Sequence, residues 1–255
     1  MDLGTTNLRF EREGPIAWCV IDRPNARNAL TPAMYNGVKR AVALVNRDPH
    51  LAALIITGTG DVFAPGGDLG GRSEPGDEMP PDWGMDILPF LDIRNSRAPV
   101  ISAVNGICQA GGLLIAMLSD IAVASDRATF RVPELLRGIP DAFYASTLPA
   151  HVGVAVARDL MLSGRPFDAT EAQRLGVISR VVPHDDLRDA ALEAARQVLR
   201  TPPDARTHVK RMLNERYGHV DIQTMAWAVS HSPEMQEGML AFMEKRNPSW
   251  MPPDL

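Results

Sequence analysis

Cysteine is scarce in this chain of 255 residues, and the two that occur, Cys19 and Cys108, do not form a CxxC pair. This spacing provides neither a disulfide framework nor a cysteine-based zinc site. We therefore expect a protein of a reducing compartment, the cytoplasm.

The chain also lacks an excess of positive charge and long apolar runs. The formal net charge is −5 and no Lys/Arg-rich run occurs, which argues against a nucleic-acid-binding surface. No apolar stretch approaches the roughly 20 residues of a membrane span, and Met1 to Val20 lacks the pattern of a secretion signal. The 45% of hydrophobic residues is nevertheless enough for a substantial core in one α/β domain.

The apolar stretch from Val100 to Leu118 combines a predicted strand, a turn and a predicted helix. Val100 to Val104 favours a strand, and Gly111-Gly112 opens a segment too apolar for a surface helix. The first N–H groups of such a helix lack intrahelical partners and carry partial positive charge. This end could stabilise an oxygen that becomes negative during a reaction, although close packing alone would also require glycine.

A second glycine turn, FAPGGD at residues 63–68, follows another apolar strand at Leu51 to Thr57. Three further stretches accompany these two along the chain: IDRPNARNALT lies before them, and LSGRPFDATEAQRLGVISRVVP and FMEKRNPSW lie after them. Together the five motifs resemble the crotonase, or enoyl-CoA hydratase/isomerase, superfamily. The resemblance covers nearly the whole chain.

The resemblance implies an α/β fold of the ClpP/crotonase type. Residues 1–200 would form a spiral core of repeated ββα turns with the CoA-thioester site. Residues 201–255 would form a C-terminal helical region that assembles homotrimers or dimers of trimers. The alternation of strands and helices agrees with stacked βαβ-like turns, and the break at Thr201-Pro202-Pro203-Asp204 agrees with the boundary.

A last helix is predicted from the proline-containing start Ser232-Pro233-Glu234. Its methionine-rich face has the pattern of plain core, with Met235, Met239, Phe242 and Met243 at helical spacing.

The substrate implied by the resemblance is an acyl-CoA thioester, so that coenzyme A is part of the substrate and no cofactor or metal is expected. The backbone N–H groups of Gly67 and Gly111 would meet the thioester oxygen while an enolate forms. The resemblance and the neighbouring sequence also assign substrate or CoA contacts to Ala26, Arg27, Ala29, Ala64, Gly66, Asp68, Leu69, Leu114, Pro133, Phe143 and Lys245. Arg27 and Lys245 have the alternative of ordinary solvated side chains.

Glu134, in a Pro-Glu pair, is the candidate acid/base. Hydratase-like members of the superfamily use a second glutamate in the helix after the glycine turn, where this chain has Leu114. Adding water across a double bond needs two acceptors, whereas a 1,3-shift of the double bond needs one base. The sequence therefore favours a Δ3,Δ2-enoyl-CoA isomerase, unless Glu134 is only an ordinary helix start.

Asp141 is the rival acid. It follows Ile139-Pro140, close enough in sequence to face the same cavity as Glu134, and it could restore water activation in a hydratase or a hydrolase. The alternative is an N-cap for a helix over Ala142 to Leu148. The loop acids Asp77, Glu78 and Asp86 are further substitutes for the missing glutamate.

The loop from Gly70 to Asp86 contains Met79, Trp83 and Met85, which we expect to cover the acyl chain of a substrate. A catalytically silent CoA-binding protein, with Glu134 turned away, is the remaining alternative to an enzyme.

Overall fold

The structure is a computed structural model that describes residues 1–70, 77, 87–217 and 233–251. It begins with the expected hairpin, β1 (Leu8–Glu13) and β2 (Ile16–Ile21), which pair in antiparallel register from Leu8–Ile21 to Glu13–Ile16. All six residues of β2 are buried because β2 lies inside a sheet that is covered on both faces.

Six strands form this first sheet in the order β1-β2-β3-β5-β7-β10. From β2 onward the neighbouring strands are parallel. The remaining strands of this sheet are β3 (Ala53–Gly58), β5 (Val100–Val104), β7 (Ile121–Ser125) and β10 (Arg180–Val182). β10 is shorter than the predicted Val177 to Val182 strand, because the Val177 N–H instead donates to the Ala172 carbonyl at 2.9 Å and closes the end of α6.

A second sheet of four strands has the order β4-β6-β8-β9. Its strands are β4 (Val62–Ala64), β6 (Ile107–Gln109), β8 (Thr129–Arg131) and β9 (Phe167–Asp168). Three times in succession the chain passes from a strand of the first sheet to a strand of the second: β3 to β4, β5 to β6 and β7 to β8. This repeated passage confirms the predicted spiral core.

The helices of the core follow the predicted start and stop signals. Thr31 caps α1, its Oγ1 accepting the N–H of Met34 at 3.2 Å, and Gly176 ends α6 at a positive φ of 83°. The described helices up to the predicted boundary are α1 (Pro32–Arg47), α2 (Phe90–Arg94), α3 (Gly111–Leu118), α4 (Ala142–Val152), α5 (Val154–Ser163), α6 (Ala169–Leu175) and α7 (Leu187–Leu199). A short 3-10 turn, Glu134–Arg137, precedes α4.

Two apolar clusters cover the faces of the first sheet. α7 packs Leu187, Ala191 and Ala195 onto one face, beside Trp18. The larger cluster on the other face includes the buried side of α1 and Leu113 to Leu118 of α3, a helix whose eight residues are all buried. Within the described ranges, no helix combines the length and apolarity needed to cross a bilayer.

The C-terminal region contains α8 (Pro203–Arg216) and α9 (Pro233–Glu244). Polar contacts attach α8 to the core, because Lys210 Nζ donates to Asp120 Oδ2 at 2.7 Å. The predicted core face of α9 is confirmed only in part: Met235 and Met239 are half-buried, Phe242 and Met243 are exposed, and the buried residues are Gly238 and Ala241. Small residues face the core there because α9 approaches the backbone of Arg137 closely.

Candidate active site

A cavity of about 450 Å³ opens where the two glycine turns meet the 3-10 turn and the start of α4. It is lined by Ala29, Tyr35, Pro65, Gly67, Asp68, Leu69, Gly70, Leu88, Phe90, Gln109, Ala110, Gly111, Leu114, Pro133, Glu134, Arg137, Ile139, Asp141 and Phe242. Nine of the residues predicted for the site are among them: Ala29, Gly67, Asp68, Leu69, Gly111, Leu114, Pro133, Glu134 and Asp141.

The two glycine turns touch each other. Gly66 has a positive φ of 109°, and a Cβ built on it would lie 2.5 Å from the Cβ of Ala110. A Cβ on Gly112 would lie 2.2 Å from the carbonyl oxygen of Ala64. Gly66 and Ala64 therefore contribute to the site by packing beneath it and do not line the cavity itself.

The N–H groups of Gly67 and Gly111 stand at the junction of these turns. Gly67 pairs with Leu30 in an isolated bridge, which uses the carbonyl of Gly66 and the N–H of Asp68 and leaves the Gly67 N–H out of the pairing. Gly111 is the first residue of α3, so its N–H has no acceptor within the helix. Both glycines line the cavity, where two such donors could stabilise one oxyanion.

Glu134 is buried, with 7% of its surface exposed, and its Oε2 accepts no hydrogen bond from the described residues. Burial, followed by the charge of Asp141, raises the pKa of Glu134 to about 8, against the opposing effects of its own backbone N–H and of Arg137. A carboxyl group in this state exchanges a proton readily near neutral pH, as an acid/base must.

Asp141 fulfils the predicted capping role and also lines the cavity. Its Oδ1 accepts the N–H of Tyr144 at 3.0 Å, which caps α4. Burial raises the pKa of Asp141, while hydrogen bonds from the backbone of Tyr144 and Phe143 lower it. The cavity lining therefore contains two carboxyl groups, at the two ends of the segment 135–140.

Leu114 supplies an apolar wall. It is almost fully buried on α3 and lines the cavity together with Pro133, Leu88 and Phe90. The side chain at this helix position thus has no polar atom to offer a water molecule.

The loop between β2 and α1 is built around Asn28. The side chain of Asn28 accepts from the N–H of Arg23 at 3.0 Å and donates to the carbonyls of Thr59 and Val62 at 3.0 and 2.6 Å. The Arg23 guanidinium in turn donates to Asp68 Oδ2 at 2.8 Å and to the Ala29 carbonyl at 3.0 Å. This framework fixes Ala29 and Asp68 at the cavity edge, and it engages Asp68 in an ion pair.

Several predicted contacts do not line the cavity. Ala26 ends a second 3-10 turn, Pro24–Ala26, Arg27 caps it, and Lys245 is exposed just beyond α9. Phe143 is buried behind the cavity and packs edge-on against Phe90, with ring centroids 5.0 Å apart.

The loop acids do not provide a cavity carboxylate in the described residues. Asp77 accepts hydrogen bonds from Thr5 and Thr31 at 2.5 and 3.1 Å. Glu78, Asp86 and the expected covering residues Met79, Trp83 and Met85 lie outside the described residues.

Sequence reasoning missed Tyr35 and Arg137. Tyr35 projects from α1 so that a Cβ on Gly111 would lie 2.1 Å from its hydroxyl oxygen. Arg137 lines the cavity with its guanidinium over the Phe242 ring, 4.7 Å from the centroid. A tyrosine on the buried side of α1 was the available signal for Tyr35, whereas the position of Arg137 depends on the docking of α9.

Comparisons with known proteins find related sequences that cover nearly the whole chain. The family model of enoyl-CoA hydratase/isomerase matches residues 11–253. A carnitinyl-CoA dehydratase of Salmonella arizonae is 36% identical over 257 residues, covering 96% of this chain and 98% of that protein. A probable enoyl-CoA hydratase of Mycobacterium bovis is 33% identical over 256 residues, covering 95% and 97%.

A solved structure agrees in three dimensions. The enoyl-CoA hydratase/isomerase from Pseudoalteromonas atlantica T6c superposes with a TM-score of 0.82 at 30% sequence identity, covering 96% of this chain and all of the other. The motifs, the spiral of strands and these matches agree, and the chain belongs to the enoyl-CoA hydratase/isomerase family.

Proposed function

We propose that this protein adds water across the C2–C3 double bond of a 2-enoyl-CoA thioester or, in the reverse direction, removes water from a 3-hydroxyacyl-CoA thioester. The observation that carries the proposal is the presence of Glu134 and Asp141 in the lining of one cavity. A carnitinyl-CoA dehydratase and an enoyl-CoA hydratase among the relatives support the same class of reaction.

Each group has a defined part in the proposed mechanism. The N–H groups of Gly67 and Gly111 hold the thioester oxygen as it becomes an enolate, each donor being typically worth about a hundred- to thousandfold in rate. Glu134 transfers the proton at C2, helped by a pKa of about 8. Asp141 holds and activates the water that bonds to C3, in place of the carboxylate that Leu114 lacks.

A Δ3,Δ2-enoyl-CoA isomerase is the second candidate, and Leu114 favours it. In that reaction Glu134 alone removes a proton from C2 and delivers it to C4, and Asp141 acts only as the cap of α4. The apolar wall at Leu114 would then serve to keep water away from the enolate.

Products formed from matched 2-enoyl-CoA and 3-enoyl-CoA thioesters distinguish the two functions. We expect the 2-enoyl thioester to yield the 3-hydroxyacyl thioester, and the Glu134→Gln variant to lose about 10²–10⁴-fold in rate. Conversion of the 3-enoyl to the 2-enoyl thioester without hydration would contradict the proposal and support the isomerase. Binding of both thioesters without reaction would support a silent CoA-binding protein.

A further inference from the structure

The peptide between Ala110 and Gly111 is held in an unusual conformation. Ala110 has φ 49° and ψ −131°, which a residue with a Cβ rarely adopts. Its carbonyl accepts two hydrogen bonds, one from the Leu114 N–H at 3.1 Å and one from the Tyr144 hydroxyl at 2.7 Å. A conformation of this kind persists only where its surroundings determine it.

Tyr144 is held by hydrogen bonds of both its backbone N–H and its side-chain hydroxyl. Its side chain is fully buried, and its backbone N–H donates to Asp141 Oδ1 at 3.0 Å. Burial and the nearby charges of Glu134 and Asp141 raise its pKa well above the ordinary tyrosine value, so the hydroxyl remains protonated and can donate at any working pH.

The Ala110 carbonyl and the Gly111 N–H belong to the same peptide plane. A hydrogen bond to the carbonyl oxygen therefore fixes the direction in which the Gly111 N–H points. It also polarises the peptide, which makes that N–H a stronger donor. Gly111 lines the cavity, whereas Tyr144 is not among the lining residues.

We propose that Tyr144 is a positioning residue for the oxyanion-binding N–H of Gly111. The inference rests on the proposed role of Gly111 but assigns a residue that does not contact the substrate. The sequence of contacts runs from the Asp141 carboxylate to the Tyr144 N–H, and from the Tyr144 hydroxyl to the Ala110 carbonyl. Asp141 thus orients the helix turn that carries the hydroxyl.

The test is the Tyr144→Phe variant, which keeps the buried ring and removes only the hydroxyl. The readout is the infrared carbonyl stretch of a bound saturated acyl-CoA labelled with ¹³C at the thioester carbonyl, because that frequency falls when the oxygen accepts stronger hydrogen bonds. We expect the wild-type protein to lower the frequency and the variant to lower it less. We also expect kcat to fall about 10- to 1000-fold with KM changed less than about threefold, since the loss affects mainly the transition state.

Tyr217→Phe is the matched control, because Tyr217 is half-exposed after α8 and does not line the cavity. We expect it to match the wild type in both measurements. A Tyr144→Phe variant with wild-type kcat and wild-type carbonyl frequency would overturn the inference.

A Tyr144→Phe variant that folds poorly is examined again with Ala110→Gly added, since glycine adopts the positive φ without strain. A carbonyl frequency that remains high in this double variant supports positioning, and full recovery of the wild-type frequency shows that the hydroxyl only offsets strain and overturns it. A wild-type protein that leaves the frequency unchanged removes the role of Gly111 and this inference together. A wild-type protein that lowers the frequency but hydrates no thioester removes only the proposed function.

Discussion

The carboxyl groups of Glu134 and Asp141 line the same cavity, and the charge of Asp141 raises the pKa of Glu134. Two acids that face one poorly hydrated space resist ionising together. Burial of Glu134 is the larger cause of its raised pKa, and the charge of Asp141 adds to it, so Glu134 keeps a proton at a pH where an isolated glutamate would have lost it. Such a pair can supply an acid and a base at the same time.

Replacement of Glu134 by Gln is expected to abolish proton transfer while preserving thioester binding. The loss should be about 10²–10⁴-fold in kcat, measured by stopped-flow hydration of a 2-enoyl-CoA. Glu13→Gln is the matched control, because Glu13 pairs with Arg188 on the surface of β1 and does not line the cavity. An unimpaired Glu134→Gln variant would remove Glu134 from the mechanism.

The raised pKa of Glu134 predicts a pH-dependent stability. Between about pH 4.5 and pH 8 the folded protein keeps a proton that the unfolded chain has lost, so the free energy of unfolding falls as pH rises through this window. Glu134→Gln removes this dependence, and its advantage over the wild type should grow by up to about 1.4 kcal/mol per pH unit across the window. Urea unfolding of both proteins at several pH values measures the difference, which a pH-independent result would contradict.

Two substitutions separate the helix-capping role of Asp141 from its proposed role in activating water. Asparagine caps a helix about as well as aspartate, whereas alanine costs about 1 kcal/mol. We expect Asp141→Asn to unfold like the wild type and Asp141→Ala to be less stable, with hydration lost in both. Thermal unfolding and a hydration assay check this, and retention of hydration in Asp141→Asn would limit Asp141 to capping.

Gly111 and Gly67 should respond differently to an added methyl group. A Cβ on Gly111 would lie 2.1 Å from the Tyr35 hydroxyl oxygen, whereas a Cβ on Gly67 would lie 3.7 Å from it. We therefore expect Gly111→Ala to lose about 1–3 kcal/mol of stability through overpacking. Gly67→Ala should remain close to the wild type in urea unfolding.

Removal of the Tyr35 hydroxyl gives a direct check of this clash. Tyr35→Phe combined with Gly111→Ala should recover part of the lost stability, because the nearest remaining ring atom would be 3.0 Å away. A double variant no more stable than Gly111→Ala alone would show that the cost has another origin.

The fold was largely predictable because its signals are local. The Thr31 cap, the Gly176 stop and the apolar strand at Val100 to Val104 depend on a few neighbouring residues, and all three are present. The exposed face of α9 was not predictable in this way. A methionine-rich helical face looks the same in sequence whether or not the folded chain itself covers it.

The candidate site was predictable where a motif fixes the backbone. Gly67, Gly111 and Glu134 lie in such motifs and line one cavity. The contacts of the Tyr35 and Tyr144 hydroxyls were not predicted, because these hydroxyls meet the glycine turn only after α1 and α4 pack against α3. The sequence left two alternatives for Asp141, a helix cap and a cavity acid. In the structure its side chain accepts the capping hydrogen bond from Tyr144 and also lines the cavity.

The most direct test of the central claim is a double-label experiment on Asp141→Asn. Uptake of deuterium at C2 of a saturated acyl-CoA reports Glu134 and the two glycine N–H groups, and uptake of ¹⁸O from water at C3 of a 2-enoyl-CoA reports the second carboxylate. We predict that Asp141→Asn loses ¹⁸O uptake about 100-fold or more and keeps deuterium uptake within about tenfold of the wild type. An Asp141→Asn variant that takes up both labels at the wild-type rate would contradict the two-carboxylate account.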